Sequence, residues 1–158
     1  MTLEDLPVHR YSSAGGVVTD RMGKRVLVLN RPAHLGPDGR PETRLPKGHI
    51  REGESRESCA QREVTEESGY AELEILADLG DRDVEFEWQG QHIIRKECYF
   101  LMRLLGERSM PRRLGESQFV PLWFPWEQAL VRLTFEAERD AVRRAWDVWR
   151  AQDRCQDD

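Results

Sequence analysis

The sequence predicts an α/β fold, a mixed sheet with helices on both faces. Three observations point to it. Strand-like segments come first, one helix interrupts them, strands resume and helical segments close the chain, the order expected of a sheet covered by helices. Val26, Leu27, Val28 and Leu29 form an unbroken apolar run, as in a strand buried on both sides. Phe135, Val142, Ala145, Trp146 and Trp149 recur at helical spacing, the apolar stripe of a helix laid on a core. With 158 residues, 39% hydrophobic and 34% charged, the chain has the size and composition of one folded unit, and residues 1–158 are read as a single domain.

The elements follow in order. YSSAGGVVTD (11–20) and KRVLVLNRP (24–32) read as two strands around a turn at Arg21–Gly23. AHLGPDGRPETR (33–44) is rich in Gly and Pro and reads as a loop, and LPKGHIREGE (45–54) as a second one. A helix is expected from about Ser55 to Ser68, with Ser55 as N-cap and Gly69 as the stop. ELEILADLG (72–80) resumes strand character. DVEFEWQGQHIIRKECYFLMRLL (83–105) reads as a hairpin: Val84, Phe86 and Trp88 alternate with acids, QGQ turns, and a strand returns through Tyr99–Leu105. GERSMPRRLGES is a loop, FVPLWF a short strand, and PWEQALVRL a short helix opened by proline. The last helix is expected from about Phe135 to Ala151, its tryptophans packed in the core rather than caging a ligand.

The charge balance is 24 Lys+Arg against 29 Asp+Glu, a net of −5. A general nucleic-acid binder needs a basic surface, so this balance argues against one. A phosphate substrate remains compatible, held by metal ions and a few local cations. Cys59, Cys98 and Cys155 are odd in number and widely spaced, with no CxxC pair. That pattern suits a reducing cytoplasm, and Cys59 reads as a small packed residue of the helix rather than a nucleophile. MTLEDLPVHR has no apolar signal core, and no run approaches the roughly 20 apolar residues of a membrane span.

The helix at 55–68 ends in an unusual way. REVTEE places Glu63, Glu66 and Glu67 within five residues, so Glu63 pairs with Glu66 at i,i+3 and with Glu67 at i,i+4. Each like-charge pair costs about 0.2–0.5 kcal/mol in an exposed helix. Anions in a last turn oppose the helix dipole by about 0.3–1 kcal/mol more. A solvated acidic face, compensated in part by Arg56 and Arg62, is one reading. The other is that a divalent cation relieves the repulsion, since Mg²⁺ takes carboxylate oxygens and retains waters.

The upstream residues favour the second. Gly48, Glu54, Arg62, Glu63, Glu66, Glu67 and Gly69 fall at the spacing G-x5-E-x7-R-E-V-x-E-E-x-G-Y. At about 7% usage per residue type, seven such matches arise by chance roughly once in 10⁸ start positions. The stretch resembles the signature of the Nudix hydrolases, G-x5-E-x7-R-E-U-x-E-E-x-G-U with U a bulky aliphatic; Val64 fits the first U and Tyr70 replaces the second with an aromatic. The resemblance implies an α/β/α sandwich with a catalytic loop-helix-loop. It also implies a metal-dependent hydrolase, using Mg²⁺ or Mn²⁺, of pyrophosphate bonds in nucleoside diphosphates linked to another group. Carried over residue by residue, it makes Glu54 and Arg62 an orienting pair and Glu63 and Glu67 metal ligands. Glu66 is a ligand or the general base, and Gly48 lets the backbone approach the metal. Some members take the base from outside the motif, and Glu97 and Glu116 are the candidates here, each otherwise a solvated surface acid.

SAGGVV (13–18), LPKGH (45–49) and LTFEAERDAVRRA (133–145) resemble the branch that cleaves dinucleoside polyphosphates. Lys47 and His49 beside Gly48, Arg31 at a strand end, and Arg44 are the expected contacts to phosphate oxygens. Arg44 stands, with Thr43, where that branch often has an aromatic. Tyr11, Phe86, Trp88 and Trp123 are read as core residues, and no base-binding residue is assigned. Nucleoside triphosphates, ADP-ribose and diphosphoinositol polyphosphates are alternative substrates, and a non-catalytic nucleotide-binding regulator is a third reading. An RNA end is disfavoured by the acidic balance. The expected partner is a small phosphate compound rather than a membrane or nucleic acid, and a homodimer is left open.

Overall fold

A computed structural model describes residues 2–112 and 118–156, and only the backbone of 153–156. After a 3₁₀ turn at Leu3–Asp5 come β1 (Val8–Thr19), β2 (Arg25–Leu35), β3 (Pro41–Arg44), β4 (Lys47–His49), α1 (Arg56–Ser68), β5 (Leu73–Trp88), β6 (Gln91–Leu104), β7 (Val120–Pro125), α2 (Trp126–Arg132) and α3 (Glu136–Gln156). β1 runs parallel to β6 from Val8↔His92 to Thr19↔Arg103. The other pairings, β5 on β6 and β2 on β1, β3 and β7, are antiparallel. The sheet is mixed, as the sequence predicts.

Helices cover both faces. On one, Cys59, Ala60 and Val64 of α1 pack on Ala14, Val18, Leu27, Cys98, Phe100 and Met102. On the other, Trp126, Ala129, Ala141, Val142 and Ala145 of α2 and α3 pack on Val17, Val26, Val28, Tyr99 and Leu101. Successive strand residues point to opposite faces, so Val26 and Val28 serve one core and Leu27 the other. Full burial of such a side chain contributes about 1.5–3 kcal/mol, which is why the run 26–29 has no polar alternation.

One feature of the sheet positions the acids of α1 against the chain from 41 to 49. β1 and β2 pair at Thr19↔Val26 and then diverge. The chain from 41 to 49 crosses the gap: β3 pairs with β2 at Leu29↔Arg44, and β4 pairs with β1 at Ala14↔Gly48. Leu45 and Pro46 lie between the two ladders. Pro46 O accepts from Gly16 N at 3.1 Å. A Cβ on Gly15 would strike Pro46 O and come within 2.6 Å of Lys47 Cβ, so only glycine allows the two strands to approach this closely.

The structure departs from the sequence reading in several places. Residues 33–44 are not simply a loop: β2 continues to Leu35 and β3 returns, around a turn in which Gly36 N donates to Arg40 O at 2.8 Å and Gly39 takes φ +77°. Lys47–His49 is a strand because β1 offers it a free edge. The segments 72–80 and 83–88 form one strand, whose register shifts between Asp78 and Asp81; Gly80, at φ +84°, absorbs the irregularity. Phe135 is 37% exposed and precedes α3, outside its stripe. Trp88, at 59% exposure, is at the β5–β6 turn rather than in the core.

Replacing Gly15 with alanine is expected to push β4 off β1. Urea denaturation of Gly15→Ala should show a loss of about 1–3 kcal/mol, the cost of overpacking a tight contact.

Candidate active site

α1 begins and ends where its capping residues dictate. Ser55 Oγ accepts from Ser58 N at 3.1 Å, and Gly69, at φ +89°, donates its N–H to Thr65 O at 2.8 Å. This phase turns Glu63 and Glu67, only 4% and 3% exposed, toward the sheet beside Val64. Glu66 stays half-buried.

β4 meets these acids. Lys47 N donates to Glu67 Oε1 at 2.8 Å. Gly48 abuts Glu63, whose carboxylate a Cβ at residue 48 would strike. Together they line a cavity of about 300 Å³ with Arg44, His49, Arg51, Arg62 and Phe119.

Arg62 ties the loop to the helix. Its Nε and Nη2 donate to Glu54 Oε2 and Oε1 at 2.7 and 2.9 Å, a bidentate fork, and Nη2 also donates to His49 O at 3.0 Å. Its Nη1 donates to Glu63 Oε1 at 2.7 Å and Glu66 Oε2 at 3.1 Å. Hydrogen bonds from Arg62 and from Arg51 N pull the Glu54 carboxyl down to about 2, and the same fork raises Arg62.

The residues present fit a divalent cation. Glu63, Glu66 and Glu67 offer hard oxygen donors of the type Mg²⁺ and Mn²⁺ take, beside a glycine that leaves room. Glu54, Glu63 and Glu66 pair with Arg62, Glu66 lies 3.9 Å from Arg51, and Glu67 takes the Lys47 amide beside them. Four carboxylates against two guanidinium groups leave a formal −2. Among the described residues no three His, Cys, Asp or Glu side chains gather around one point: Glu63 and Glu66 share a guanidinium nitrogen, and Glu67 is held by a backbone amide.

The other sequence-predicted residues take different places. His49 is exposed at the cavity, its ring 4.1 Å from that of Tyr11. Arg31 and Arg44 flank the Phe119 ring at 5.6 and 5.4 Å and share the buried Glu42, at 3.5 and 3.6 Å. Lys47 lines the cavity, but its ammonium is buried 3.4 Å from Glu97 and 3.5 Å from Glu138. Glu97 is no solvated surface acid: it is 2% exposed and accepts from Arg95 and from Tyr99 OH. Burial raises its carboxyl, but Lys47 and Arg95 outweigh that and hold it low. Cys59, fully buried, has its thiol pushed up to about 11 by burial, which leaves it inert. Glu116 lies outside the described residues.

Sequence reasoning missed Glu138 and Glu42. Glu138 is 0% exposed, and its Oε1 accepts from Leu45 N at 2.7 Å. A signal was present: Glu138, Val142, Ala145 and Trp149 fall at i, i+4, i+7 and i+11, so this acid lies on the apolar stripe. Glu42 left no comparable trace, since its segment reads as a loop.

The Glu54–Arg62 fork has a pH signature. Glu54 is lowered in the folded chain from 4.5 to about 2, so its contribution is complete above 4.5 and lost as pH falls toward 2. In metal-free protein, Glu54→Gln should lower Tm at neutral pH and flatten the fall of Tm over that window, as thermal scans across pH would show.

The sequence matches the NUDIX domain family over residues 9–146. It is 35% identical over 130 residues to a Mycobacterium tuberculosis protein that bears the name mutator protein MutT4, covering 81% of this chain and 51% of that one. An RNA pyrophosphohydrolase of Acidiphilium cryptum is 30% identical over 108 residues, 64% of this chain and 65% of its own. The chain thus spans about half to two thirds of the length of these relatives. Among solved structures, a C. elegans Ap4A hydrolase binary complex superposes with TM-score 0.65 at 22% identity, covering 90% of this chain and 98% of that one. A NUDIX hydrolase from Nitrosomonas europaea gives TM-score 0.63 at 16% identity, covering 86% and 88%. A fold of that type, the complete signature from Gly48 to Gly69 and the match over residues 9–146 make the chain a member of the NUDIX domain family.

Proposed function

We propose that this chain is a divalent-metal-dependent pyrophosphohydrolase of nucleoside polyphosphates, with residues 1–158 acting as one domain. The observation that carries it is that Glu63, Glu67, Arg62 and β4 line one cavity, while Glu54 and Glu66 are tied to it through Arg62. Glu63, Glu67 and Glu66 would hold Mg²⁺ or Mn²⁺. Such an ion neutralises phosphate oxygens and acidifies bound water.

The chain's own residues do the rest. Arg62 orients Glu63 and Glu66 while Glu54 keeps its guanidinium in plane. Glu66, the most accessible of the three acids, takes the proton of the attacking water. Lys47 holds Glu67 through its backbone amide rather than meeting substrate with its ammonium. Arg44, and Arg31 behind it, supply positive charge for the phosphate chain, helped by His49 at the rim. Glu97, whose oxygens are engaged by three neighbours, is a structural acid rather than the base.

Dinucleoside polyphosphates are the first substrate reading. The LPKGH stretch and the paired arginines, suited to a long anionic chain, support it. A second reading, a pyrophosphate bond carried by an RNA, is supported by the 30% identical relative that bears the name RNA pyrophosphohydrolase. The two buried free thiols, Cys59 and Cys98, fit a reducing compartment such as the cytoplasm, and among the described residues no helix is long and apolar enough to cross a membrane.

Hydrolysis of a substrate panel, read by mass in ¹⁸O-labelled water, tests the reading. Glu66→Gln is expected to cut kcat by about 10²–10⁴-fold, the contribution of a general base, and Glu63→Gln to cut it comparably. Unchanged rates in both would overturn the assignment. Preference for a 5′-triphosphorylated RNA over diadenosine compounds would replace the first substrate reading with the second. Thermal scans give an independent check: Mg²⁺ or Mn²⁺ should raise Tm in the parent protein, and Glu67→Gln should blunt the gain.

A further inference from the structure

The crossing from β3 to β4 leaves backbone groups without sheet partners. Leu45 follows the last residue of β3 and precedes β4, yet it is fully buried. A buried amide must find an acceptor, and that of Leu45 finds a side chain 93 residues away. Glu138 Oε1, on the first turns of α3, accepts it at 2.7 Å. The same oxygen lies 3.5 Å from Lys47 Nζ, a longer contact, and that ammonium is also 3.4 Å from Glu97. Glu138 Oε2 is buried with no hydrogen-bond partner. The short bond is therefore the one to Leu45, and Lys47 keeps a second carboxylate whatever happens at residue 138.

Two residues after Leu45 the chain delivers Lys47 N to Glu67, and one residue later Gly48 to Glu63. We propose that Glu138 is a positioning residue for the metal-binding acids: by holding the Leu45 amide from the opposite face of the sheet, it sets where β4 presents Lys47 N–H and Gly48 to Glu67 and Glu63. The proposal rests on the reading that Glu63 and Glu67 hold a divalent cation. Its action is one of reach, not of charge. Thr134 supports the same segment two residues earlier, accepting from Thr43 N and donating its own N–H to Thr43 O, both at 2.9 Å. It leaves Leu45 to Glu138.

A reach-based role makes an ordering that a charge-based role reverses. Glutamine at 138 keeps the acceptor oxygen in place and loses the charge. Aspartate keeps the charge and draws the oxygen back by one methylene. Mn²⁺ affinity, measured by the electron paramagnetic resonance of free Mn²⁺ without substrate, separates them. Glu138→Asp and Glu138→Ala are expected to bind Mn²⁺ about tenfold more weakly, as when a residue supporting a ligand is lost. Glu138→Gln should stay within about threefold of the parent. Should Glu138→Ala fail to fold, the Asp and Gln pair carries the test. Glu67→Gln serves as the control on the site itself. If it weakens binding while Glu138→Asp does not, the positioning role is wrong and the metal site stands. If Glu138→Asp binds as the parent does and Glu138→Gln binds weakly, the charge that Glu138 presents to Lys47 matters and its reach does not. If Glu67→Gln binds Mn²⁺ as the parent does, the metal site is misassigned and the positioning role falls with it.

Discussion

The contact between Gly15 and the Pro46–Lys47 backbone is the constraint on which the site depends. Two diverging strands leave a gap in the sheet, and nine residues fill it by pairing first with one strand and then with the other. The second pairing is tight enough that no side chain fits at residue 15. A strand held that closely has little freedom to slide, because a slip by one residue would exchange its two faces. Register, in this setting, is chemistry. With Ala14 opposite Gly48, the residue without a side chain faces the Glu63 carboxylate, and Lys47 and His49 take the other face. One step of slippage would drive a lysine or a histidine side chain into the acid.

The two faces of β4 also divide the charge. On the α3 side, Lys47 and Arg95 stand with Glu97 and Glu138, two cations and two acids. Buried ion pairs of this type gain little net stability, but stripping one partner costs about 3–5 kcal/mol because the other is left unpaired. Balance is thus the only stable condition there. On the α1 side, four acids share two guanidinium groups and the Lys47 amide, and the excess can persist because Glu54 and Glu66 reach solvent. Hydrogen bonds to charged groups contribute about 1.5–3 kcal/mol each, several times the like-charge cost of about 0.2–0.5 kcal/mol per pair in the helix. The acidic helix end is therefore tolerated before any ion arrives.

The sequence conveyed the architecture well because its signals are local. The run 26–29, the Ser55 and Gly69 caps and the α3 stripe from Val142 to Trp149 each show in a few adjacent residues, and each lies where expected. The acids of α1 were legible for the same reason, since a helix of known phase fixes their spacing. What failed to show depends on contacts distant in sequence. β4 is three residues long and is a strand only because β1 offers an edge. The fate of the Lys47 ammonium turns on Glu97 and Glu138, 50 and 91 positions away in the sequence. Glu97 was misread as a surface acid although Ile93, Tyr99 and Leu101 share its strand face with period two; an acid in such a row was the warning. Trp88 erred in the other direction, because alternation with acids marks a strand face but not whether anything covers it.

An acidic protein can still present a phosphate site, because what matters is the field inside the cavity rather than the net charge. Arg31 and Arg44 are held by the same carboxylate, Glu42, and stacked on the same ring, Phe119. Two like charges brought together repel each other, and Glu42 offsets that repulsion in the free protein. The Nε of each arginine is buried without a hydrogen-bond partner among the described residues, so neither guanidinium has spent its full donor capacity on the protein. Glu42 cannot neutralise both, and the pair keeps a formal +1 next to the −2 of the acids on α1. Opposite fields side by side suit a substrate whose phosphates require both a cation held by carboxylates and direct contact with guanidinium groups. A chain with uniform surface charge of either sign would supply only one of the two.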